Sequence, residues 1–300
     1  MSVGVDFDFP RWLAARRGQM EHSARIGAAY AFSGEQRFRR GLTMARPVTM
    51  ALEATTRLWK DVAKTELLGT AVKVTDQQFP RVYEAAKKAG AMLGVRVPAI
   101  FAAPSSSVAG RAIKIKVLGT EDSPHLIVNL ELVEKLDEND LVAAIAHELA
   151  HVQNGHILYA TALHYLNNSA AFFVRWVVQP AVMTLQAWSR RAEVTCDRAS
   201  LIAVRDLEKV LTSMVKLELG FEKGSAFNAE EYLKSLPDVK KGIGRYAELF
   251  RSNPYVPKRV QALRLFADSA LYAQLTGQDL TGKASLPDVD KQVANLISVF

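Results

Sequence analysis

DENDLVAAIAHELAHVQNGH, residues 137–156, is the stretch on which the reading of this chain turns. Asp137 is a helix N-cap, and Glu138 and Asp140 fall in the first turn, where free N–H groups and the positive end of the helix dipole favour acidic side chains. The apolar run Leu141 to Ile145 carries that helix into His147, Glu148 and His151. At 100° per residue, positions 147 and 151 lie about 40° apart around the axis and one turn along it, so both imidazoles can reach one ion. Glu148 projects from a neighbouring direction, close enough to touch a water held there. His156 is about 140° round from His151 and cannot share that face; it is expected to be a capping or surface histidine.

H-E-x-x-H on a helix is a zinc-site signature, with two His ligands and a Glu as general base. The plainer alternative is a polar stripe on a wet face, and the third ligand discriminates between them. An H-x-x-G-x-x-H continuation would need Gly at 154 and His at 157, where Asn154 and Ile157 stand. A carboxylate from a second helix completes a His2Glu set instead. Between His151 and Glu193 there is no Asp or Glu, so Glu193, in the helical segment SRRAEVTCDRASL (189–201), is the first available. Asp197, one turn on, can hydrogen-bond a ligand histidine and fix its tautomer. Cys196 is read as a small buried thiol rather than a ligand.

The rest of the chain supports an α+β, mostly helical fold. Its 300 residues are 49% hydrophobic and 23% charged, an ordinary globular balance. The single cysteine excludes an intrachain disulfide, and the first residues lack an apolar leader, so the expected compartment is the cytoplasm. The net charge of +7 is biased toward the front, with Arg16, Arg17, Arg37, Arg39 and Arg40, but no nucleic-acid-binding signature accompanies it. Residues 10–68 read as two or three helices broken near Gly34 and Arg46-Pro47, with Trp12, Phe32, Phe38 and Trp59 as core anchors. A helix from Thr75 closes at Gly94. A strand at 99–103 follows, then strands at 112–119 and 125–132 joined by a turn at 120–124, predicting a small antiparallel sheet with an exposed edge. Beyond about residue 188 the chain is again mostly helical, punctuated by glycines and prolines between 220 and 257. The organisation read from this is a helical region at 1–66, a core at 67–205 and a second helical region at 206–300.

Residues 169–188, SAAFFVRWVVQPAVMTLQAW, are about long enough to span a bilayer. Arg175 near the centre would cost about 2.5–3.5 kcal/mol, and Gln179 and Pro180 add to it. One crossing would also separate Glu193 from the two histidines. A helical hairpin broken at Asn167-Asn168 is expected, with peripheral membrane contact through Phe172, Phe173 and Trp176 as the alternative.

VTDQQFPRVYEAAKKAGAMLGV (74–95), VPAIFAAPSSSVAG (97–110), HLIVNLELVEKLDENDLVAAIAHELAHVQNGH (125–156) and SRRAEVTCDRASL together resemble the gluzincin peptidase family that contains HtpX and the CAAX prenyl proteases. The resemblance implies a zincin-like core and one Zn2+ per chain held by His147, His151 and Glu193, with Glu148 as base and Asp197 in support. SNPYVPKRVQAL (252–263) is similar to a late His-Pro-Pro…Arg element of that family, which implies a catalytic role for Arg259; Asn253 stands where a histidine is common. The expected activity is zinc-dependent endopeptidase action on a peptide or unfolded protein lying along an edge strand near Leu126–Asn129. The alternative is a latent or non-cleaving zinc-binding scaffold acting through partners.

Overall fold

The structure, a computed structural model, describes residues 27–42, 45–59, 64–103, 114–168, 172–219, 231, 248 and 251–298. Trp12, Arg16, Arg17 and the glycines at 220–244 lie outside these residues, as do the side chains at 172–178. Three helices come first: α1 (Ser33–Leu42), α2 (Arg46–Leu58) and α3 (Lys64–Thr70). Gly34 is the second residue of α1 rather than a break, whereas Pro47 begins α2 in the first turn, where its missing N–H costs nothing.

A two-residue strand β1 (Val72–Lys73) leads to α4 (Pro80–Leu93). That helix starts later than the sequence suggests because Phe79, ahead of the proline, takes a left-handed conformation with φ 59°. It ends as expected, with Gly94 at φ 65° capping the Gly90 and Ala91 carbonyls.

The sheet corrects one expectation. Strands β2 (Ala99–Ala103), β3 (Ile115–Thr120) and β4 (Ser123–Asn129) join β1 in the order β1-β2-β4-β3. β3 and β4 form the anticipated antiparallel hairpin, but β2 pairs parallel with β4, so the sheet is mixed. Leu126–Asn129 is therefore central, and Leu126, Ile127 and Val128 are fully buried. The edge toward the H-E-x-x-H helix is β3. Gly119 makes the hairpin turn possible: its φ is 134°, and a Cβ there would lie 2.3 Å from the Ser123 carbonyl oxygen.

The segment after β4 turns helical. Asn129 accepts from the Glu131 and Leu132 N–H groups and starts α5 (Leu130–Lys135), overriding the strand-like LEL of the sequence. The key helix α6 (Glu138–Gln153) begins with a capping box in which Asp137 and Asp140 bond each other's backbone N–H. α7 (Ile157–Asn168) and α8 (Phe172–Val204) follow; the stretch after Asn168 where the break was expected, 169–171, lies outside the described residues. α8 is a single 33-residue helix that carries both the apolar stretch, with Pro180 inside it, and Glu193 and Asp197. The chain continues through α9 (Leu207–Leu219), α10 (Val256–Ala267), α11 (Ala270–Thr276) and α12 (Leu286–Ile297). Among the described residues no helix is long and apolar enough to cross a membrane.

One core cluster runs from Ala28 and Tyr30 through α4, the sheet, α6 and α8 to Val256, Phe266 and Tyr272. Phe32 and Trp59 are buried as anticipated, and Phe38 is partly so. At its centre Ala143, Ala144, Ala146 and Ala150 of α6 share the cluster with Cys196, Ala199 and Ala203 of α8. Small side chains let helix axes approach closely. That approach brings His147 to Glu193.

Candidate metal centre and catalytic cleft

α6 is fixed at both ends. Asp140, almost wholly buried, accepts from Ser213 Oγ at 2.5 Å and Lys216 Nζ at 2.9 Å, tying the helix start to α9. Ser200 Oγ donates to the Ala143 carbonyl at 2.8 Å, locking α8 alongside. On this frame His147 Nε2 lies 3.4 Å from Glu193 Oε2, and His151 Nε2 lies 4.0 Å from Glu193 Oε1. Ligand atoms at about 2.0–2.1 Å from a tetrahedral zinc stand roughly 3.3–3.4 Å from one another; the His147–Glu193 separation is of that size, the His151–Glu193 separation is wider, and two imidazoles with a carboxylate are donor types that zinc takes.

His147 Nδ1 is 3.2 Å from Asp197 Oδ1, which holds its proton there and leaves Nε2 facing Glu193. Arg259 grips Asp197 through both nitrogens of its fork, Nε to Oδ2 at 2.8 Å and Nη2 to Oδ1 at 2.6 Å, and reaches Glu193 Oε2 at 3.4 Å. Asp197 and Arg259, expected as catalytic groups, thus make their observed contacts with metal-ligand candidates and with each other. Glu148 Oε2 accepts from the Val117 N–H at 2.7 Å, so edge strand β3 holds the carboxylate beside His147. Neither the Val117 backbone nor that contact was legible in the sequence.

His156 is a correction. It is completely buried, not a surface residue, with Nδ1 3.2 Å from His151 Nδ1. The angular argument assumed a helix through 156, but α6 ends at Gln153 and Gly155 turns the chain with φ 65°. Asn154-Gly155 is a stop signal of the ordinary kind and was the clue available.

Cys196 is buried as expected. Its sulfur, with His147 and His151, belongs to a set of ligand atoms within 4.8 Å of one another, which makes it a rival to Glu193. Burial, and then the carboxylates Glu193, Glu148 and Asp197, push the thiol well above its ordinary value and keep it protonated.

The electrostatics of this cluster of side chains are lopsided. Burial disfavours charge on His147, but Glu193 and Asp197 outweigh it and hold the imidazolium up to about 10. Burial, and then the adjacent imidazoles of His156 and His147, depress His151 well below 6.5. Burial would raise Glu193, yet His147, Arg259 and His151 pull it below the usual carboxylate range. Because the folded value of His147 exceeds its unfolded value of 6.5, its stabilising contribution is complete below that pH and is lost as pH rises toward about 10. Metal-free protein should therefore melt at progressively lower temperature from pH 7 to 9. Zinc-loaded protein, with His147 neutral throughout, should show a flatter dependence; melts with and without chelator check this, and a parallel decline would contradict it.

These groups line a cleft of about 390 Å³, walled by Lys116 of β3, His164 of α7, Met214 and Leu217 of α9, and Asn253. Residues 117–267 match the description "Peptidase family M48", and the match spans both α6 and Arg259. The chain belongs to peptidase family M48. It is 28% identical over 158 residues, 52% of this chain and 45% of the relative, to the plastoglobule-localized metallopeptidase 48, chloroplastic, of Arabidopsis thaliana. Over 172 residues it is 27% identical to Protease HtpX of Hydrogenovibrio crunogenus, covering 48% of this chain and 57% of that one. It is 25% identical over 178 residues to Protease HtpX of Actinobacillus pleuropneumoniae, covering 48% and 59%. The chain thus spans about half the length of these curated relatives. No solved structure matches.

Proposed function

We propose that the chain is a zinc-dependent endopeptidase with Glu148 as general base. The observation that carries this reading is the convergence of His147, His151 and Glu193 beside a carboxylate anchored on an edge strand, in an open cleft. A zinc ion on those three ligands would supply a Lewis acid for the scissile carbonyl and a water acidified to about pKa 7. Glu148 accepts the water's proton and delivers it to the departing amine. Asp197 orients His147, and Arg259 orients Asp197 and Glu193; both are positioning residues in this scheme.

A peptide or unfolded protein enters the cleft beside Lys114–Lys116, at the start of edge strand β3, rather than along the interior strand β4, because the outward N–H groups of Val117 and Gly119 are already bonded within the chain. Val117 and Gly119 point their N–H groups away from β4, toward Glu148 Oε2 and Thr161 Oγ1. Met214 and Leu217 give the opposite wall apolar surface for a substrate side chain. Asn253 lines the cleft at the position where the family resemblance implies a histidine, and this favours a second reading, a zinc-holding scaffold that does not cut.

The test is zinc content on protein purified without added metal, beside cleavage of unfolded casein. One zinc per chain with cleavage supports the endopeptidase, and zinc without cleavage favours the scaffold. Glu193→Gln should lower zinc affinity by about 10-fold or more, since a neutral amide is a poor ligand for the ion. Wild-type affinity in that variant would remove Glu193 from the ligand set.

A further inference from the structure

Beneath His151 lies a buried polar string that the endopeptidase scheme does not use. His151 Nδ1 is 3.2 Å from His156 Nδ1, and His156 Nε2 is 3.4 Å from Glu35 Oε1. Glu35 is wholly buried on α1, outside the residues that match the family, and its Oε1 accepts from Trp188 Nε1 at 3.0 Å. The rings are also packed: His156 stands edge-on to His151 and to Trp188, each at a centroid distance of 5.3 Å.

The turn that buries His156 is clasped by the same N-terminal segment. Arg39 of α1 donates to the Asn154 and Gly155 carbonyls, and the Asn154 side chain accepts from the Ala28 N–H at 2.8 Å. His156 N–H donates to the His151 carbonyl at 2.9 Å, which holds the two residues in register. α1 therefore places both the turn and the carboxylate that faces it.

Donor and acceptor counting gives the string a direction. The wholly buried Glu35 takes the Trp188 Nε1–H at 3.0 Å and lies 3.6 Å from Arg39 Nε, so its carboxylate faces donors and acts as an acceptor. His156 Nε2 lies 3.4 Å from Glu35 Oε1, a close contact short of an aligned hydrogen bond, and among the described residues it has no other partner. A neutral His156 with its proton on Nε2 offers a lone pair at Nδ1. His151 must then donate from Nδ1, which leaves its Nε2 lone pair on the Glu193 side. A carboxylate behind a ligand histidine ordinarily does this directly, as Asp197 does for His147. For His151 the same office is filled through a second imidazole.

We propose that His156 and Glu35 are positioning residues that fix the tautomer and orientation of His151 for metal binding. The inference rests on the reading of His151 as a zinc ligand, and it makes the N-terminal helix part of the metal site.

The test is zinc affinity, measured by competition with a chromophoric chelator on the full chain, for wild type, His156→Phe, Glu35→Gln and the double variant. Phe keeps the ring packing without the hydrogen bond, and Gln keeps the shape of Glu35 without its charge. Each single variant should weaken zinc by about 10- to 100-fold. The double variant should be little worse than the more affected single, because one string is broken either way. His156→Gln, whose amide oxygen can still accept from His151, should recover part of the loss. Cobalt-substituted protein should show a shifted visible spectrum in His156→Phe. If that variant does not fold, Glu35→Gln and its spectrum decide alone. Folded single variants that bind zinc within twofold of wild type, with an unchanged cobalt spectrum, overturn the proposal and leave His151 as a ligand. Wild-type protein that takes up no stoichiometric zinc overturns the underlying reading instead.

Discussion

Glu148→Gln should keep its zinc and lose cleavage of unfolded casein by about 10²- to 10⁴-fold, the usual range for removing a general base. In free energy this is roughly 3–5 kcal/mol of transition-state stabilisation. The ligand atoms of His147, His151 and Glu193 are untouched, and the Gln oxygen can still accept from the Val117 N–H that now holds Glu148 at 2.7 Å. What disappears is a site for the water's proton. The pH profile offers a second check. Burial pushes the Glu148 carboxyl above its ordinary 4.5 despite the opposing influence of His147, Lys116 and the Val117 N–H. A base must be ionised to act, so wild-type activity should fall on the acid side as Glu148 is protonated, with the zinc charge pulling that limb below where burial alone would set it. More than a tenth of wild-type turnover in the zinc-loaded variant would assign the base elsewhere.

Arg198→Ala should destabilise the fold by about 3–5 kcal/mol, lowering the melting temperature by on the order of 10 °C. Arg198 is fully buried on α8, one position beyond Asp197. Its Nη2 donates to Asp290 Oδ1 of α12 at 2.7 Å and its Nη1 to the Tyr30 carbonyl at 3.0 Å. The guanidinium also lies over the rings of Phe266 at 5.0 Å and Phe32 at 5.6 Å. Asp290 Oδ2 in turn accepts from the Ser33 N–H at 2.9 Å, at the start of α1. Truncating Arg198 strands a buried carboxylate, and that orphaned charge accounts for most of the loss. Arg198→Met with Asp290→Leu should recover part of it, though not all, since the Ser33 N–H then lacks its acceptor. Equal loss in the single and double variants, by chemical denaturation, would mean that packing rather than charge sets the cost.

The sequence by itself determined what is local or periodic. The Asp137 start of α6, the Gly94 stop of α4 and the hairpin turn before β4 depend on side chains bonding their own backbone or on conformations one residue permits. The H-E-x-x-H spacing belongs with them, because a helix fixes the directions of residues one turn apart. Glu193 was accessible by elimination, as the first acidic residue after His151. The same local logic misled at LEL, where β-prone residues were claimed by the Asn129 cap, and at His156, where a helix was assumed past its Asn-Gly stop.

Only the tertiary structure decided how distant segments pair. Hydrophobic runs at 99–103 and 125–129 announce strands but not their order, and a parallel β2 inserted beside β4 moved the open edge to β3. Glu148 needs the backbone of that edge, and Arg259 needs α10 packed against α8. His156 meets Glu35 only because α1 crosses the end of α6. Such contacts are made between residues up to more than a hundred positions apart, and one sequence carries no periodicity that could encode them. They follow from which buried faces fit together, and that is settled by the packed core as a whole.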